Sequence, residues 1–499
     1  MTKHLDIDTK AMRAKILDLA IRGKLTDQRQ EDGNARDLLK EIQAEKERLI
    51  KEKKVKKEKP LPEITEEEKP FDIPENWEWV RLGNLTSKVG SGNTPKGGKN
   101  SGVYKESGVE FIREMNVYND GLHYDGMVYI SSELAKTRTG SAVVAGDILL
   151  NITGGSIGRC ALVPDNFVLG NVNQHVLIIR NIVASLREYI HLVLCSPLVQ
   201  RYINNSAVGD KAGLSASKTK GFVIPLPPLA EQHRIADKVS ALFAQLDVID
   251  KAYEEYQKLQ QAMKAKLLEL AIHGKLTDQR DEDGDARDLF QDIQEEKQRL
   301  IAEKKIKKEK PLPEIEADEI PFEIPTNWMW VRLGNICSKV VDGDHNPPKG
   351  ENHPTPYIMA SSQNINNDRL VNLCSVRYLS KEVFEKENLR TLASEGDIFF
   401  TSVGSLGRSC VYDGSLNICF QRSVSVITSQ IYNWYLKRCF DSPYYQNMMY
   451  AEAKGTAQKG FYLKQLSNSL IPLPPLAEQQ RIVAKLDELL PHLNPGKEP

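Results

Sequence analysis

Apolar residues recur at alternating steps of four and three between Ile235 and Leu270, and this spacing predicts one long helix with a coiled-coil seam. A single polar residue, Gln260, interrupts the seam. With a rise of about 1.5 Å per residue, the helix would be on the order of 54 Å long. We assign to the seam of this central helix the residues Ile235, Val239, Leu242, Leu246, Ile249, Tyr253, Tyr256, Met263, Leu267 and Leu270.

The chain repeats itself, and the repeat is interrupted inside this helix pattern. Residues 11–64 align without gaps with residues 262–315, and 41 of the 54 aligned positions are identical. The string IPLPPLAEQ occurs before the central helix and again near the end of the chain, where only the first part of the seam follows. The second part stands at the start of the chain. The divided seam consists of Met12, Ile16 and Leu19 at one end and of Ile482, Leu486 and Leu489 at the other.

Two unlike inserts, residues 87–222 and 338–469, separate the repeated segments. A duplicated frame with one divided helix predicts that the terminal pieces meet and lie antiparallel to the central helix. The predicted fold class is α+β, with two mixed α/β globular domains joined by long antiparallel coiled-coil helices in a pseudo-twofold, circularly shifted arrangement. The predicted domains are an N-terminal helical region at 1–69, a globular domain at 70–224, the central helix and a charged arm at 225–320, a second globular domain at 321–471 and a distal helix at 472–499.

A charged segment follows each copy of the helix, at residues 34–59 and 285–310. Leu38, Ile42 and Leu49 form a narrow apolar stripe in the first copy, and Glu and Lys cover the rest. The pattern predicts a solvated helical arm. A docking surface for another subunit is the alternative, because both copies keep the same charges.

Composition places the chain among ordinary globular proteins, with 40% hydrophobic and 27% charged residues. No run of about 18 apolar residues could span a bilayer, and no signal peptide is evident, so we expect no membrane partner and a cytoplasmic location. The seven cysteines include no Cys-x-x-Cys pair. Their pattern indicates reduced core residues and predicts no metal site.

Catalytic motifs are missing from the sequence. It contains no phosphate-binding G-x-x-x-x-G-K-[ST], no G-x-G-x-x-G after a strand and no H-E-x-x-H. The string from Asp344 to Lys349 is similar to the loop with which amino-methyltransferases hold a flipped adenine, but Lys349 replaces the stacking aromatic residue. We therefore predict no catalytic residue.

The inserts are polar, rich in amides, and carry formal net charges of +4 for residues 87–225 and +2 for residues 338–472. Arg can form paired hydrogen bonds with guanine, Asn or Gln with adenine, and Lys can bind phosphate. For any one Asn in a loop, a role in a turn is the alternative. The candidate DNA-binding residues are Thr94, Lys96, Arg113, Asn116, Ser156, Arg159, Asn173, Gln174, Lys211 and Lys218 in the first insert, and Gln363, Asn364, Asn366, Ser405, Arg408, Gln421, Arg422, Lys454 and Lys459 in the second.

With PLPPLAEQ followed by a heptad helix, and the string repeated after a second variable insert, the sequence resembles the specificity subunit of type I restriction-modification systems over nearly its whole length. The resemblance implies two target-recognition domains that read a bipartite, asymmetric sequence in double-stranded DNA, with the helices fixing the gap. It implies no cofactor on this chain. S-adenosylmethionine would be bound by two methyltransferase (modification) subunits, which methylate adenine N6. ATP and Mg would be bound by two restriction motor-nuclease subunits, which cleave the DNA.

Two other functions fit parts of the pattern. A coiled-coil adaptor with two sugar-binding or peptide-binding heads would also carry variable inserts on a fixed frame. A self-sufficient methyltransferase would need a site for the methyl donor, which the motif search does not find. DNA binding that weakens with salt separates the first function from the adaptor.

Overall fold

The computed structural model describes residues 7–95, 102–206, 213–366, 368–454 and 459–493. The chain divides into two compact units, and the boundary between Tyr253 and Glu254 falls inside the long central helix. Two candidate DNA-binding residues, Lys96 and Lys211, lie outside the described residues.

The first unit contains a helical frame and a mixed head. Its helices are α1 (Thr9–Ile21), α2 (Ala35–Lys51), α3 (Ser132–Lys136), α4 (Arg187–Cys195), α5 (Pro197–Ser206), α6 (Ala216–Lys220) and the first part of α7 (Leu229–Ile272). Its strands are β1 (Glu78–Arg81), β2 (Thr86–Ser91), β3 (Val109–Ile112), β4 (Val117–Tyr118), β5 (Gly121–Leu122), β6 (Val128–Ile130), β7 (Ala142–Val143), β8 (Ile148–Asn151), β9 (Cys160–Leu162), β10 (Gly170–Val172), β11 (Val176–Asn181) and β12 (Val223–Leu226).

The second unit repeats this plan. Its helices are the rest of α7, α8 (Ala286–Ala302), α9 (Lys381–Thr391), α10 (Asn433–Asp441), α11 (Pro443–Glu452), α12 (Leu463–Asn468) and α13 (Leu476–Leu493). Its strands are β13 (Met329–Arg332), β14 (Cys337–Asp342), β15 (Tyr357–Ala360), β16 (Ile365–Asn366), β17 (Arg369–Leu370), β18 (Arg377–Tyr378), β19 (Ile398–Thr401), β20 (Ser409–Val411), β21 (Asn417–Phe420), β22 (Val424–Ser429) and β23 (Leu470–Leu473).

Equivalent sheets occupy the two heads. The antiparallel order β2-β11-β8-β9 in the first head corresponds to β14-β22-β19-β20 in the second. A second sheet has the order β6-β3-β10-β7 in the first head and β18-β15-β21 in the second, and each contains one parallel pair. Strands β8 and β19 are buried along their whole length, as the continuous apolar strings ILL and IFF require. The inserts therefore share a fold although they share little sequence.

The repeated proline string forms the exit from each head. In the first head Pro225 lies in strand β12 opposite Trp79 of β1, and in the second Pro472 lies in β23 opposite Trp330 of β13. Each strand of a two-stranded sheet has one free edge. The missing N–H of the proline therefore leaves no ladder hydrogen bond unmade. Pro228 then stands directly before α7, where the absence of an N–H costs nothing.

The frame helices pair antiparallel inside each unit. In the first unit Arg13 of α1 donates hydrogen bonds to Asp247 Oδ1 at 2.8 Å and to Asp250 Oδ2 at 2.7 Å in α7. Leu17, Ala20 and Ile21 share a buried cluster with Ile235 and Val239. In the second unit the corresponding cluster joins the last part of α7 to α13, through Leu268, Ala271 and Ile272 on one side and Ile482, Val483 and Leu486 on the other. The antiparallel pairing predicted from the sequence is thus present in each unit.

The predicted seam is wrong in the middle of α7. Tyr253, Tyr256 and Met263 are 47%, 44% and 54% exposed, and Met12 of α1 is 47% exposed, while the polar Gln260 is buried. A heptad pattern buries side chains only where a partner helix lies opposite, and among the described residues the hydrogen bonds from α1 to α7 reach as far as Asp250. Of the other predicted seam residues, Ile235, Val239, Leu246, Ile482 and Leu486 are buried, whereas Leu242, Ile249, Leu267, Leu270, Ile16, Leu19 and Leu489 are half-buried.

The charged arms fold as helices α2 and α8. Asn34 caps α2 by accepting a hydrogen bond from the Arg36 N–H, and Asp285 does the same for α8. Leu38 and Ile42 of the predicted stripe are buried, and most of the remaining surface is charged. Each arm therefore packs against its own unit along a narrow stripe. The search for a helix apolar enough to cross a bilayer over at least 18 residues found none in the described segments.

Candidate nucleic-acid interface

A buried carboxylate fixes the base of the frame helix in each unit. Glu231 Oε2 accepts a hydrogen bond from Trp77 Nε1 at 2.7 Å, and Oε1 accepts one from Gln28 Nε2 at 2.6 Å. Glu478 makes the same pair of bonds with Trp328 and Gln279, at 2.7 and 2.6 Å. Burial raises the pKa of both carboxyls, and these hydrogen bonds oppose the rise.

An ion pair next to this carboxylate holds the segment after the repeated helix. Arg234 binds Asp32 through two hydrogen bonds of 2.6 and 2.5 Å, and Arg481 binds Asp283 through two of 2.6 Å. The hydrogen bond from the guanidinium lowers the pKa of each aspartate below its ordinary value. The same contact therefore holds the segment between two frame helices in each unit.

The loops of the first head meet at one end of its sheets. Ile152 N–H donates to His175 O at 3.0 Å, Leu214 N–H donates to Ile152 O at 2.9 Å, and Asn151 Nδ2 donates to Glu114 O at 2.8 Å. We call the segments joined in this way the first loop cluster: residues 92–95, 113–119, 152–159, 173–175 and 213–218.

The second head gathers the equivalent segments. Ser402 N–H donates to Ser423 O at 2.9 Å, Phe461 N–H donates to Ser402 O at 2.8 Å, and Arg422 N–H donates to Asp344 O at 2.8 Å. We call these segments the second loop cluster: residues 343–349, 361–366, 402–408, 421–423 and 459–461.

A glycine permits the same backbone crossing in both clusters. A Cβ on Gly92 would lie 1.9 Å from Val172 O, and a Cβ on Gly343 would lie 2.1 Å from Phe420 O. No side chain fits at either place. The crossing brings the end of β2 or β14 against the loop that precedes β11 or β22, so the cluster is built by the backbone before any exposed side chain contributes.

Three of the candidate DNA-binding residues face inward, and the prediction for them is wrong. Asn116 is fully buried and donates to His123 O at 2.9 Å. Asn173 donates to Glu114 Oε2 at 2.6 Å. Asn364 accepts from Ser361 N–H at 3.0 Å and is 2% exposed. These amides close the turns of the loop clusters, which is the common structural use of Asn in a loop.

The remaining described candidates are at least partly accessible. Gln174 and Lys218 are exposed in the first head, and Thr94, Arg113, Ser156 and Arg159 are half-buried. In the second head Ser405 and Gln421 are half-buried, and the exposed candidates are Gln363, Asn366, Arg408, Arg422, Lys454 and Lys459.

Some of these side chains already have partners within the protein. Arg113 donates to Gly126 O at 2.6 Å, Lys218 Nζ donates to Ser206 O at 3.3 Å, and the Ser156 hydroxyl accepts from Asn151 at 3.2 Å. The half-buried Arg113 and Ser156, bound in this way, are better suited to orient a loop than to read a base edge. The exposed cations are better suited to contact a phosphate or a base.

The first cluster also presents an aromatic hairpin that the sequence analysis missed. Arg159 lies 4.4 Å above the ring of Tyr118, and that ring stacks on His123 at 4.0 Å with a tilt of 12°. Tyr118 ends strand β4, and His123 directly follows strand β5. The turn Asn119–Asp120 joins the two strands. The string YNDGLH, a turn signal between aromatic residues, could have indicated this hairpin.

Each head thus carries a loop-built polar surface, and the frame beneath it is the same in both units. Such a duplicated frame with two different polar surfaces defines the class of two-headed recognition proteins. The comparisons with known proteins identify the family.

The family model described as "Type I restriction modification DNA specificity domain" matches residues 74–257 and 325–497. The chain belongs to this family of DNA specificity subunits, and the resemblance found in the sequence is confirmed. It is 29% identical to the type I restriction enzyme EcoEI specificity subunit of Escherichia coli, over 96% of this chain and 88% of that protein. It is 28% identical to the EcoAI specificity subunit of Escherichia coli, over 97% of this chain and 89% of that protein.

A solved structure supports the fold. A chain from a study of complex assembly and conformational transition of the type I R-M system has a TM-score of 0.58, with 19% sequence identity, covering 85% of this chain and 93% of that one. The predicted α+β class is confirmed. The chain is a specificity subunit and not itself an enzyme, as the sequence analysis expected.

Proposed function

We propose that each head reads one half of a bipartite, asymmetric sequence in double-stranded DNA through its loop cluster. The observation that carries this proposal is the contrast between equal frames and unequal surfaces. The first cluster offers Arg159 stacked on Tyr118 together with the exposed Gln174, whereas the second offers the exposed Arg408 and Arg422. Different surfaces on equivalent scaffolds favour a target whose halves differ.

The second cluster has the chemistry for strong backbone contacts. Arg408, Arg422 and Lys459 are exposed, as is Lys454, whose backbone pairs with Gly460 of the cluster, and cations of this kind neutralise phosphates and release counterions. Burial alone would raise the pKa of the nearby Asp342, but hydrogen bonds from Arg390 and His345 hold that pKa below its ordinary value. The negative charge of Asp342 is therefore balanced within the protein.

The partners follow from the family. We infer that the chain assembles with two methyltransferase subunits, which bind S-adenosylmethionine and methylate adenine N6, and with two motor-nuclease subunits, which bind ATP and Mg. The central helix would act as a ruler between the half-sites. Arms α2 and α8 keep matching surface charges, and these charges support their use as docking surfaces for such partners. Because the target is DNA, we expect the assembly to act in the cytoplasm.

A domain exchange tests the assignment of heads to half-sites. Replacing residues 87–222 with the insert of a related subunit should change one half of the methylated sequence and leave the other half and the gap unchanged. Methylome sequencing of cells that carry the chain with its partner subunits reads both halves at once. A change in both halves, or in neither, would contradict the proposal.

A second experiment tests the ruler. One additional helical turn inserted after Tyr256 should lengthen the recognised gap and preserve both half-sites, because Tyr256 lies in the exposed middle of α7. A matched control inserts the same residues in the exposed loop after α8. An unchanged gap in the α7 variant would rule out the ruler.

The adaptor and the self-sufficient methyltransferase make different predictions. DNA binding by the complete complex should weaken steeply as salt rises. Binding that is absent or insensitive to salt would favour the adaptor. We expect no transfer of a labelled methyl group by the isolated chain, and observed transfer would favour the methyltransferase.

A further inference from the structure

Three potential metal ligands converge inside the first head, directly beside the first loop cluster but outside it as defined. Cys160 stands at the start of strand β9, and His191 and Cys195 lie one turn apart on helix α4. The two sulfur atoms and a ring nitrogen all lie within 4.8 Å of one another. Cys160 is buried, and the other two side chains are half-buried.

The distances are close to those of a tetrahedral zinc site. Zinc–sulfur bonds of about 2.3 Å and zinc–nitrogen bonds of about 2.0 Å hold the ligand atoms of such a site roughly 3.5–3.8 Å apart. The Cys195 sulfur lies 3.6 Å from His191 Nε2. The same nitrogen lies 2.9 Å from Cys160 O, and metal binding would replace that hydrogen bond. To surround one ion, the three atoms would have to close from separations of at most 4.8 Å to these values.

Two of the three groups hold a proton that a bound cation would have to displace. A hydrogen bond with Cys160 and the charge of His191 hold the pKa of the Cys195 thiol below its ordinary value, against the effect of burial. Burial raises the pKa of Cys160. Burial would lower the pKa of His191, but the charge of Cys195 raises it to about 9. A bound ion would displace the Cys160 and His191 protons to solvent, and affinity would therefore rise with pH.

The equivalent positions in the second head carry different side chains. Tyr189 and Tyr435 donate equivalent hydrogen bonds to the carbonyls of Pro225 and Pro472, at 2.9 and 2.8 Å, and so align helix α4 with α10. Sheet register aligns Cys160 with Ser409, since Cys160 pairs with Leu150 and Ser409 with Phe400.

Counting along the aligned helices, His191 corresponds to Lys437 and Cys195 to Asp441. Lys437 is fully buried and contacts Asp441 at 2.5 Å and also Asp368. The same place in the fold thus carries a buried ion pair in the second head and three metal-binding side chains in the first. Lysine as an ammonium ion cannot ligate a metal, so the difference is one of chemistry and not only of sequence.

We propose that Cys160, His191 and Cys195 bind a soft or borderline divalent cation, best matched by Zn²⁺, that fastens helix α4 to strand β9 in the first head only. Two sulfur ligands and one imidazole favour zinc over magnesium or calcium, which prefer oxygen. With three protein ligands, the fourth position of the tetrahedron would be taken by water. The ion would hold α4 against β9, which directly follows the Gly-Arg turn of the first loop cluster. No metal site was predicted from the sequence, because the seven cysteines include no Cys-x-x-Cys pair. The signal that was passed over is the His-x-x-x-Cys spacing on one helical face.

Metal content of the full chain tests the proposal. Protein purified under reducing conditions with zinc present should retain about one zinc ion per chain, measured by elemental mass spectrometry after dialysis. Replacement by Co²⁺ should give visible absorption bands and a thiolate-to-cobalt band in the near ultraviolet. Cys195→Ser should lose both the zinc and the bands. The matched control is Cys374→Ser, which removes an exposed cysteine of the second unit and should change neither.

A variant patterned on the second head guards against simple misfolding. Cys160→Ser combined with His191→Lys and Cys195→Asp installs the side chains of Ser409, Lys437 and Asp441. It should fold, as judged by circular dichroism, bind no zinc, and keep the same thermal midpoint when a chelator is added. The unaltered chain should lose thermal stability with the chelator.

Several results would overturn the proposal. They are the absence of zinc and of cobalt bands in the reduced protein, equal zinc content in the triple variant, or a Cys160–Cys195 disulfide in peptide mapping of the active protein. None of these results bears on DNA reading, which the domain exchange tests separately.

Discussion

Glu231 in the first unit and Glu478 in the second accept hydrogen bonds from the same types of side chain at nearly the same distances. Inside the heads, equivalent positions carry different side chains. The first head has Cys160, His191 and Cys195 where the second has a serine and a buried ion pair. The exposed cations of the loop clusters differ as well. The frame therefore fixes how each head is attached to its helices. The interior side chains and the loop surfaces can differ between the heads, provided that the buried polar groups of each head are paired.

The equivalence of the two frames can be tested at their buried tryptophans. Trp77→Ala and Trp328→Ala each remove a tryptophan that is 2% exposed and whose Nε1 binds the buried glutamate. We expect each to lower the free energy of unfolding by about 3–5 kcal/mol, measured by urea denaturation. Phe at the same positions should recover part of the packing but not the hydrogen bond. A loss at one site more than twice that at the other would show that the frames are not equivalent.

The difference in the interiors can be sharpened at Lys437. Lys437→Met removes the nearest cation of Asp441 and Asp368 and leaves them with Arg438, at 3.5 and 3.2 Å, and we expect destabilisation of about 1.5–3 kcal/mol in the same assay. The double variant Lys437→Met with Asp441→Leu also removes one of the two carboxylates that lost Lys437 and should be the more stable of the two. If the single variant is as stable as the unaltered chain, the ion pair does not hold helix α10 as described.

The difference in the surfaces can be tested at the arginines of the second loop cluster. Arg408→Ala with Arg422→Ala should weaken specific DNA binding by the complex by about 1–3 kcal/mol for each base that an arginine no longer binds, which is roughly 5- to 150-fold. Discrimination should relax in one half-site only. The control Lys381→Ala changes an exposed cation at the start of α9, outside the second loop cluster. Relaxed discrimination in both half-sites would contradict the assignment of one head to one half.

A smaller effect is expected in the pH dependence of stability. Burial raises the folded-state pKa of Glu231 and Glu478, so the folded chain holds these protons more tightly than the unfolded chain does. Their contribution is therefore most favourable below the ordinary carboxyl value and is lost as the pH rises through the raised pKa. Glu231→Gln should flatten this slope in urea denaturation, although the amide also weakens the bond network. Glu75→Gln, at a carboxyl outside that network, is the control. A slope that is unchanged in Glu231→Gln would show that the buried carboxyl does not titrate in this range.

The frame could be predicted from the sequence because its patterns depend on neighbouring residues and occur twice in the chain. Identity between residues 11–64 and 262–315 marked the repeat, and the apolar spacing marked helix α7. The antiparallel pairing in each unit followed from the divided seam. The pattern failed at Tyr253, Tyr256 and Met263, because periodicity shows which side chains share a face and not how far a partner helix extends.

The candidate site was anticipated less well. Exposed cations such as Arg408 and Arg422 were found by residue type, but Asn116, Asn173 and Asn364 were chosen for the same reason and face inward. An amide can close a turn as readily as it can bind a base, and only the neighbouring backbone decides between the two. Tyr118 and His123 were missed because stacking depends on a hairpin turn that pairs two very short strands.

The sequence by itself determined that the chain is a duplicated frame with two unlike inserts, the family to which it belongs, and the helices that begin and end each unit. The tertiary structure decided which polar groups are available and which are already bound. It also brought Cys160 of a strand beside His191 and Cys195 of a helix, about 30 residues further along the chain. The physical reason is that periodicity and repeats act over neighbouring residues, whereas burial and the meeting of distant side chains depend on how strands and helices pack.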